Sequence, residues 1–146
     1  MAKQSALTTL IELAERDADD AAKRLGEANK AVEEAEQKLE MLLGYRDEYA
    51  RKLEASQVAG ITPQAYHNFI AFIGKLDNAV NGQREVLKHA EYRSSQEKAA
   101  WQAVERKRLS YRTLSERAAA QALHVENKRD QKLMDEHAAR QAYHKK

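Results

Sequence analysis

The side chains able to do chemistry are thinly spread along this sequence. None of the five histidines, His67, His89, His124, His137 and His144, has another four residues away, and none closes the Glu-x-x-His spacing of a di-metal helix bundle. His137 and His144 are seven apart on one helix face, but the surrounding tail is polar and offers no shared carboxylate set. The 146 residues contain no Cys, which removes a disulfide framework, a thiolate zinc site and a Cys nucleophile. The five glycines are isolated and none follows an apolar strand, so no loop is available to cradle a phosphate. The carboxylates belong to an exposed helix face, which has no cleft to tune them for acid–base work. These residues predict a protein that is not an enzyme and holds neither metal nor cofactor.

Two other groups of residues invite a binding role. Residues 100–146 carry 11 basic and 6 acidic groups, densest at Glu105-Arg106-Lys107-Arg108, with Trp101, Tyr111 and Tyr143 among them. A basic helix can follow phosphates. Here the signs alternate, which reads instead as a solvated, salt-bridged face, so nucleic acid is not an expected partner. The second group is aromatic: Tyr45, Tyr49, Tyr66, Phe69 and Phe72 are five of the nine aromatic residues. A two-helix seam buries one narrow stripe per helix, and Leu42, Tyr49, Phe69, Ile73 and Leu76 fill it. Leu43, Tyr45, Ile70 and Phe72 are left over. Leu42-Tyr45-Tyr49 and Phe72-Leu76-Ala79 then form stripes at one height, either a protein-binding patch or a thickened core that shields the turn.

The elements that position these residues follow from composition and period. Leu, Ile, Val and Phe number 26, too few for a rounded core, whereas Ala, Glu, Lys, Leu and Arg number 81, the make-up of long helices and coiled coils. The breakers gather in Ser56–Pro63. There Gly60 suits the left-handed position after a helix, Thr62 an N-cap and Pro63 the first helical position. We read helices over about 6–57 and 63–142 with a turn over about 58–62, forming a single coiled-coil hairpin domain over 1–146. Alternating steps of four and three give a seam in the first helix: Leu7, Ile11, Ala14, Ala18, Ala21, Leu25, Ala28, Val32, Ala35, Leu39, Leu42, Arg46, Tyr49 and Leu53. A looser one runs from Tyr66 through Val80, Gln83 and Trp101 to Val125 in the second.

Residues 1–57 carry 9 basic and 13 acidic groups, and residues 58–146 carry 16 and 10. Arms of opposite sign prefer each other to copies of themselves, which favours an antiparallel hairpin within a monomer over a parallel homodimer. Helices of about 80 and 120 Å leave the second unmatched at its end. Folding about residue 60 sets residue i against 120−i, Leu7 near Thr113, and leaves everything past about Ala118 as an overhang awaiting a partner. No apolar run approaches the length of a membrane span, and the start Met1-Ala2-Lys3-Gln4-Ser5 leads into no signal-peptide core, so the expected location is cytoplasmic.

Several segments carry a resemblance. Leu13-Ala14-Glu15, Asp19-Asp20-Ala21-Ala22, Leu25-Gly26-Glu27, Met41-Leu42 with Tyr45, Glu48-Tyr49, Glu126-Asn127, Asp130-Gln131-Lys132 and Met134-Asp135-Glu136 together resemble the flagellar type III export protein family FliJ over essentially the whole length. The resemblance implies a long antiparallel two-helix coiled coil with a C-terminal overhang, similar to the central stalk of rotary ATP synthases. It implies partners: the hexameric export ATPase FliI, whose ring the stalk enters and helps assemble, the cytoplasmic linker of the export gate protein FlhA, and export chaperones. It also implies a place at the cytoplasmic face of the inner membrane through protein contacts. The gate patch maps onto Leu42, Tyr45, Tyr49, Phe72, Leu76 and Ala79, with Lys38 and Gln83 at two further patch positions. The ATPase-binding region maps onto Leu13 to Arg24, with Leu13, Arg16, Asp17, Asp20, Lys23 and Arg24 as its candidates. The stalk homologue of an injectisome and a generic homodimeric coiled-coil scaffold are the alternatives.

Overall fold

A computed structural model describes residues 2–145. The fold is all-α. Helix α1 spans Ala2–Ala59 and helix α2 spans Pro63–His144. The two pack antiparallel, and the chain divides into two compact units, Met1–Ala18 with Ala103–Lys146, and Asp19–Gln102.

The turn lies in the second unit and is built as its residue types require. Gly60 adopts φ +92°, a region that costs other L-residues steric strain, and its N–H donates to the Gln57 carbonyl at 3.3 Å. The Thr62 hydroxyl accepts from the Ala65 N–H at 3.1 Å, an N-cap, and Pro63 follows as the first helical residue. The turn thus occupies only residues 60–62, shorter than the expected 58–62, with Pro63 already helical.

Within the second unit the fully buried positions of α1 are all small side chains. Ala21, Ala28 and Ala35 on α1 are buried, and Val80 on α2 is 1% exposed. Leu25, Val32, Leu39, Leu42, Tyr49 and Leu53 are half-buried, because a pair of helices covers each side chain from one direction only. Polar groups share this seam. Gln83 is buried and its Nε2 donates to the Ala35 carbonyl at 3.1 Å; the Ser94 hydroxyl lies 2.6 Å from the Asn29 side-chain oxygen. Arg24 pairs with Glu97 at 3.5 Å and Arg46 with Asp77 at 3.4 Å. Gln83 sits where close alanine packing leaves the opposing main chain within reach of an amide. A buried amide with a fixed partner sets the register more sharply than another apolar residue does.

Register differs slightly from expectation. Tyr49 faces Phe72, Arg46 faces Asp77 and Asn29 faces Ser94, so these partner numbers add to 121–123 rather than 120, while the long Gln83 amide reaches back to Ala35, a sum of 118. The physical reason is the shortened turn, centred on Ile61 instead of residue 60.

In the first unit Ala14 and Ala18 are buried on α1, opposite half-buried Val104, Arg108, Tyr111 and Ser115 on α2. Leu7 and Thr8 line a groove with Ser115, Ala118 and Ala119, two or more residues further along α2 than the expected Thr113. Past Ser115, every described residue of α2 is exposed. Ion pairs one turn apart, Arg112–Glu116 at 3.6 Å and Arg140–Glu136 at 3.9 Å, lie on this helix. No helix of the described chain is long and apolar enough to cross a membrane.

The alanine seam makes a direct prediction. Ala21 is fully buried, so Ala21→Leu forces extra methyl groups between the helices and should cost about 1–3 kcal/mol. Thermal unfolding followed by circular dichroism measures it, and an unchanged midpoint refutes the close approach at this level.

Candidate functional site

The aromatic cluster belongs to the second unit, where the turn and the last two heptads of α1 meet the first three of α2. Tyr49 is a seam residue of α1, and Phe72 flanks the seam of α2. Their rings lie 4.4 Å apart, tilted by 47°. Tyr49 and Phe72, with Ala65, Asn68 and Phe69, line a shallow groove of about 280 Å³. The Lys52 ammonium sits 5.0 Å from the centre of the Tyr49 ring and 3.5 Å from Glu48 Oε1, a cation held at the rim.

The sequence-derived patch residues divide into two kinds here. Tyr45 and Phe72 are exposed, at 46% and 40%, and Ala79 is exposed as well. Leu42 and Tyr49 are half-buried, presenting one side to the groove or its edge and the other to the seam. Leu76 is 9% exposed and belongs to the core, as does Gln83. Leu76 therefore belongs to the core, while Tyr45 and Phe72 face outward. Lys38 is exposed.

The residues mapped to an ATPase-binding region are treated unit by unit. In the first unit Leu13, Arg16 and Asp17 are exposed, on the side of α1 turned away from buried Ala14 and Ala18. In the second, Asp20, Lys23 and Arg24 are exposed, and Arg24 is engaged with Glu97. The first unit also has a charged groove of about 470 Å³ lined by Ile11, Glu15, Arg108, Arg112, Ser115 and Glu116. Beside it the Arg108 guanidinium donates to both oxygens of Glu105, one of them at 3.0 Å. That hydrogen bond, and the positive charge behind it, hold the Glu105 carboxyl below its ordinary pKa. The pair supports the helix above the ordinary carboxylate range, and its contribution fades as acid protonates Glu105.

Among the described residues, no group of three or more His, Asp or Glu could hold a metal ion. Two features stand out among the described residues: an aromatic groove near the turn and a stretch of α2 past Ser115 whose residues are all exposed. Such a molecule belongs to the class of helical coiled-coil proteins. Comparison with known proteins gives the particular family. The family model described as "Flagellar FliJ protein" matches residues 3–146. Proteins of that name from Escherichia coli K12 and Salmonella typhi are each 37% identical over 145 residues, covering 99% of either chain. This chain belongs to the FliJ family, and is a component of flagellar protein export. A solved YscO homologue from Chlamydia trachomatis has 19% identity and a TM-score of 0.46 over 90% of this chain and 86% of its own, too low a score to bear on function.

Of the six residues mapped to the gate patch, Tyr49 and Phe72 line the groove and Leu76 lies in the core; Ala65 and Asn68, which also line it, were not among the sequence candidates, although their heptad positions beside Tyr49 and Phe72 could have found them.

Exposure separates two residues that the resemblance treats alike. Leu76→Asp puts a carboxylate into the seam and should cost about 3 kcal/mol or more, visible as a large fall in the unfolding midpoint. Phe72→Asp loses mainly its contact with Tyr49 and should cost about 1 kcal/mol. Equal losses from the two variants contradict this division.

Proposed function

We propose that this chain works as one hairpin domain, a non-enzymatic stalk that couples the export ATPase ring FliI to the linker of the export gate protein FlhA, and that it also handles export chaperones. Its place is the cytoplasm, at the inner face of the membrane once assembled, reached through protein contacts. The observation that carries the reading is the FliJ match over residues 3–146, at 37% identity to flagellar relatives of the same length. Two features support it. Past Ser115, α2 is exposed on every side, and a long helix in that state gains from being covered. The Tyr49–Phe72 groove, with Tyr45 beside it, is aromatic surface of the sort that anchors a protein partner.

A stalk needs no chemistry of its own. By contacting the subunits of a ring unequally, it favours one subunit conformation at each position, and hydrolysis remains the ring's work. The ATPase contact is assigned to the Leu13–Arg24 stretch of α1 and to α2 past Ser115. The gate contact is assigned to Tyr45, Tyr49, Phe72 and Ala79, with Leu42 and Leu76 as the packing beneath them. The injectisome homologue is disfavoured by the flagellar names of both relatives, and the homodimeric scaffold by the opposite charges of the two arms.

The test is ATP hydrolysis by the cognate ring with and without this chain. Stimulation is expected from the full chain, and at least a severalfold weaker effect after truncation following Glu116, with gate binding retained. Equal stimulation by the truncated chain removes the assigned role of α2's last third, and no stimulation by either removes the stalk reading.

A further inference from the structure

The groove of Tyr49 and Phe72 lies on only one side of the helix pair, and the two sides differ in charge. In heptad terms, with Tyr49 and Phe69 at the same core position, Lys38, Tyr45, Glu48 and Lys52 of α1 fall on the groove side, as do Asn68, Phe72, Lys75 and Ala79 of α2. The groove confirms that sorting, because Ala65, Asn68 and Phe72 all line it. This side has three lysines against Glu48 alone, and Glu48 is held by Lys52. Lys38 and Lys75 are exposed and enter no ion pair. The opposite side has Glu36, Glu40, Asp47, Glu54 and Asp77 against Arg84 and the seam residue Arg46, which reaches to that side, in the same stretch of the two helices. Only Asp77 of those carboxylates has a basic partner, Arg46.

We propose that the segment seated on the groove is an acidic peptide with apolar anchors. The anchors fill the space between Tyr49, Phe69 and Phe72, and the carboxylates, on the side of the anchors away from the turn, meet Lys75 and then Lys38. This rests on the reading of the groove as the gate contact and adds what that reading leaves open, the chemistry of the gate segment. Charge complementarity selects the occupant: a carboxylate-bearing segment is attracted to this side and repelled by the acidic one, so one face of a nearly two-fold helix pair is used. An anionic lipid surface shares the preference for lysines and aromatic rings. It calls for clusters of about four to eight basic residues, more than the three here, so the peptide is favoured.

The experiment measures binding of the full chain to the purified cytoplasmic region of the cognate FlhA, linker attached, at low and high salt. Phe72→Asp and, independently, Tyr45→Ser test the groove. Lys38→Glu with Lys75→Glu tests the charge, and Lys88→Glu with Lys98→Glu makes the same change of net charge farther along α2, outside both assigned contacts. All these residues lie outside the buried seam, and circular dichroism checks that each variant stays helical. The groove variants should bind at least about tenfold more weakly at any salt. The Lys38/Lys75 variant should lose about tenfold at low salt and little at high salt, with the control unchanged. Wild-type binding by the Lys38/Lys75 variant, with the groove variants still defective, overturns the acidic peptide and leaves the gate reading standing. Wild-type binding by both groove variants overturns the gate reading. An equal loss in the control reduces the effect to net charge and overturns the proposal. So does capture by phosphatidylglycerol vesicles that depends on Lys38 and Lys75 while the FlhA region does not bind.

Discussion

Close contact between small side chains governs this molecule. Where Ala14, Ala18, Ala21, Ala28 and Ala35 face α2, each buries little area, so hydrophobic gain per residue is modest. Dispersion contacts between closely spaced main chains and a few polar anchors supply the remainder. The anchors are where a close approach permits them: the Gln83 amide reaches a main-chain carbonyl, and Ser94 meets Asn29. Larger side chains return toward the turn end, where Leu42, Tyr49, Phe69 and Ile73 are half-buried and Leu76 is buried, and it is also there that aromatic surface emerges.

Most of the fold was legible because one signal dominates. A four-three period leaves only a coiled coil as a way to bury the apolar positions, and all fourteen residues of the first-helix seam are buried or half-buried. The Gly60-Ile61-Thr62-Pro63 signature gave the turn from backbone chemistry alone. Register was less legible, since periodicity fixes a face but says nothing of how many residues a turn consumes. The candidate site was legible only in outline. The heptad seam separated Leu76, a core position, from Phe72, a flanking one left over; the patch carried by the resemblance joined the two again, because a stripe drawn at a spacing of four does not distinguish core from flank. Gln83 broke the apolar pattern, and the pattern alone did not say that the amide would be buried against Ala35.

Function was legible to a different depth. The aromatic surplus near the turn marked a surface and no more than that. Nothing in helix physics specifies a flagellum. That came from matches outside the seam, such as Asp130-Gln131-Lys132, where coiled-coil periodicity imposes no choice of residue and likeness is therefore informative.

The single turn has a consequence for how such a chain tolerates change in length. Each paired residue of α1 is matched to one in α2 through a register pinned at Gly60–Thr62, so a deletion in one arm throws every pair beyond it out of step. A compensating deletion, of whole heptads and at the matching height, is needed to restore it. Past Ser115 no such bookkeeping applies. Related chains are free to lengthen or shorten there without disturbing the seam, and differences in reach between species should accumulate in that stretch.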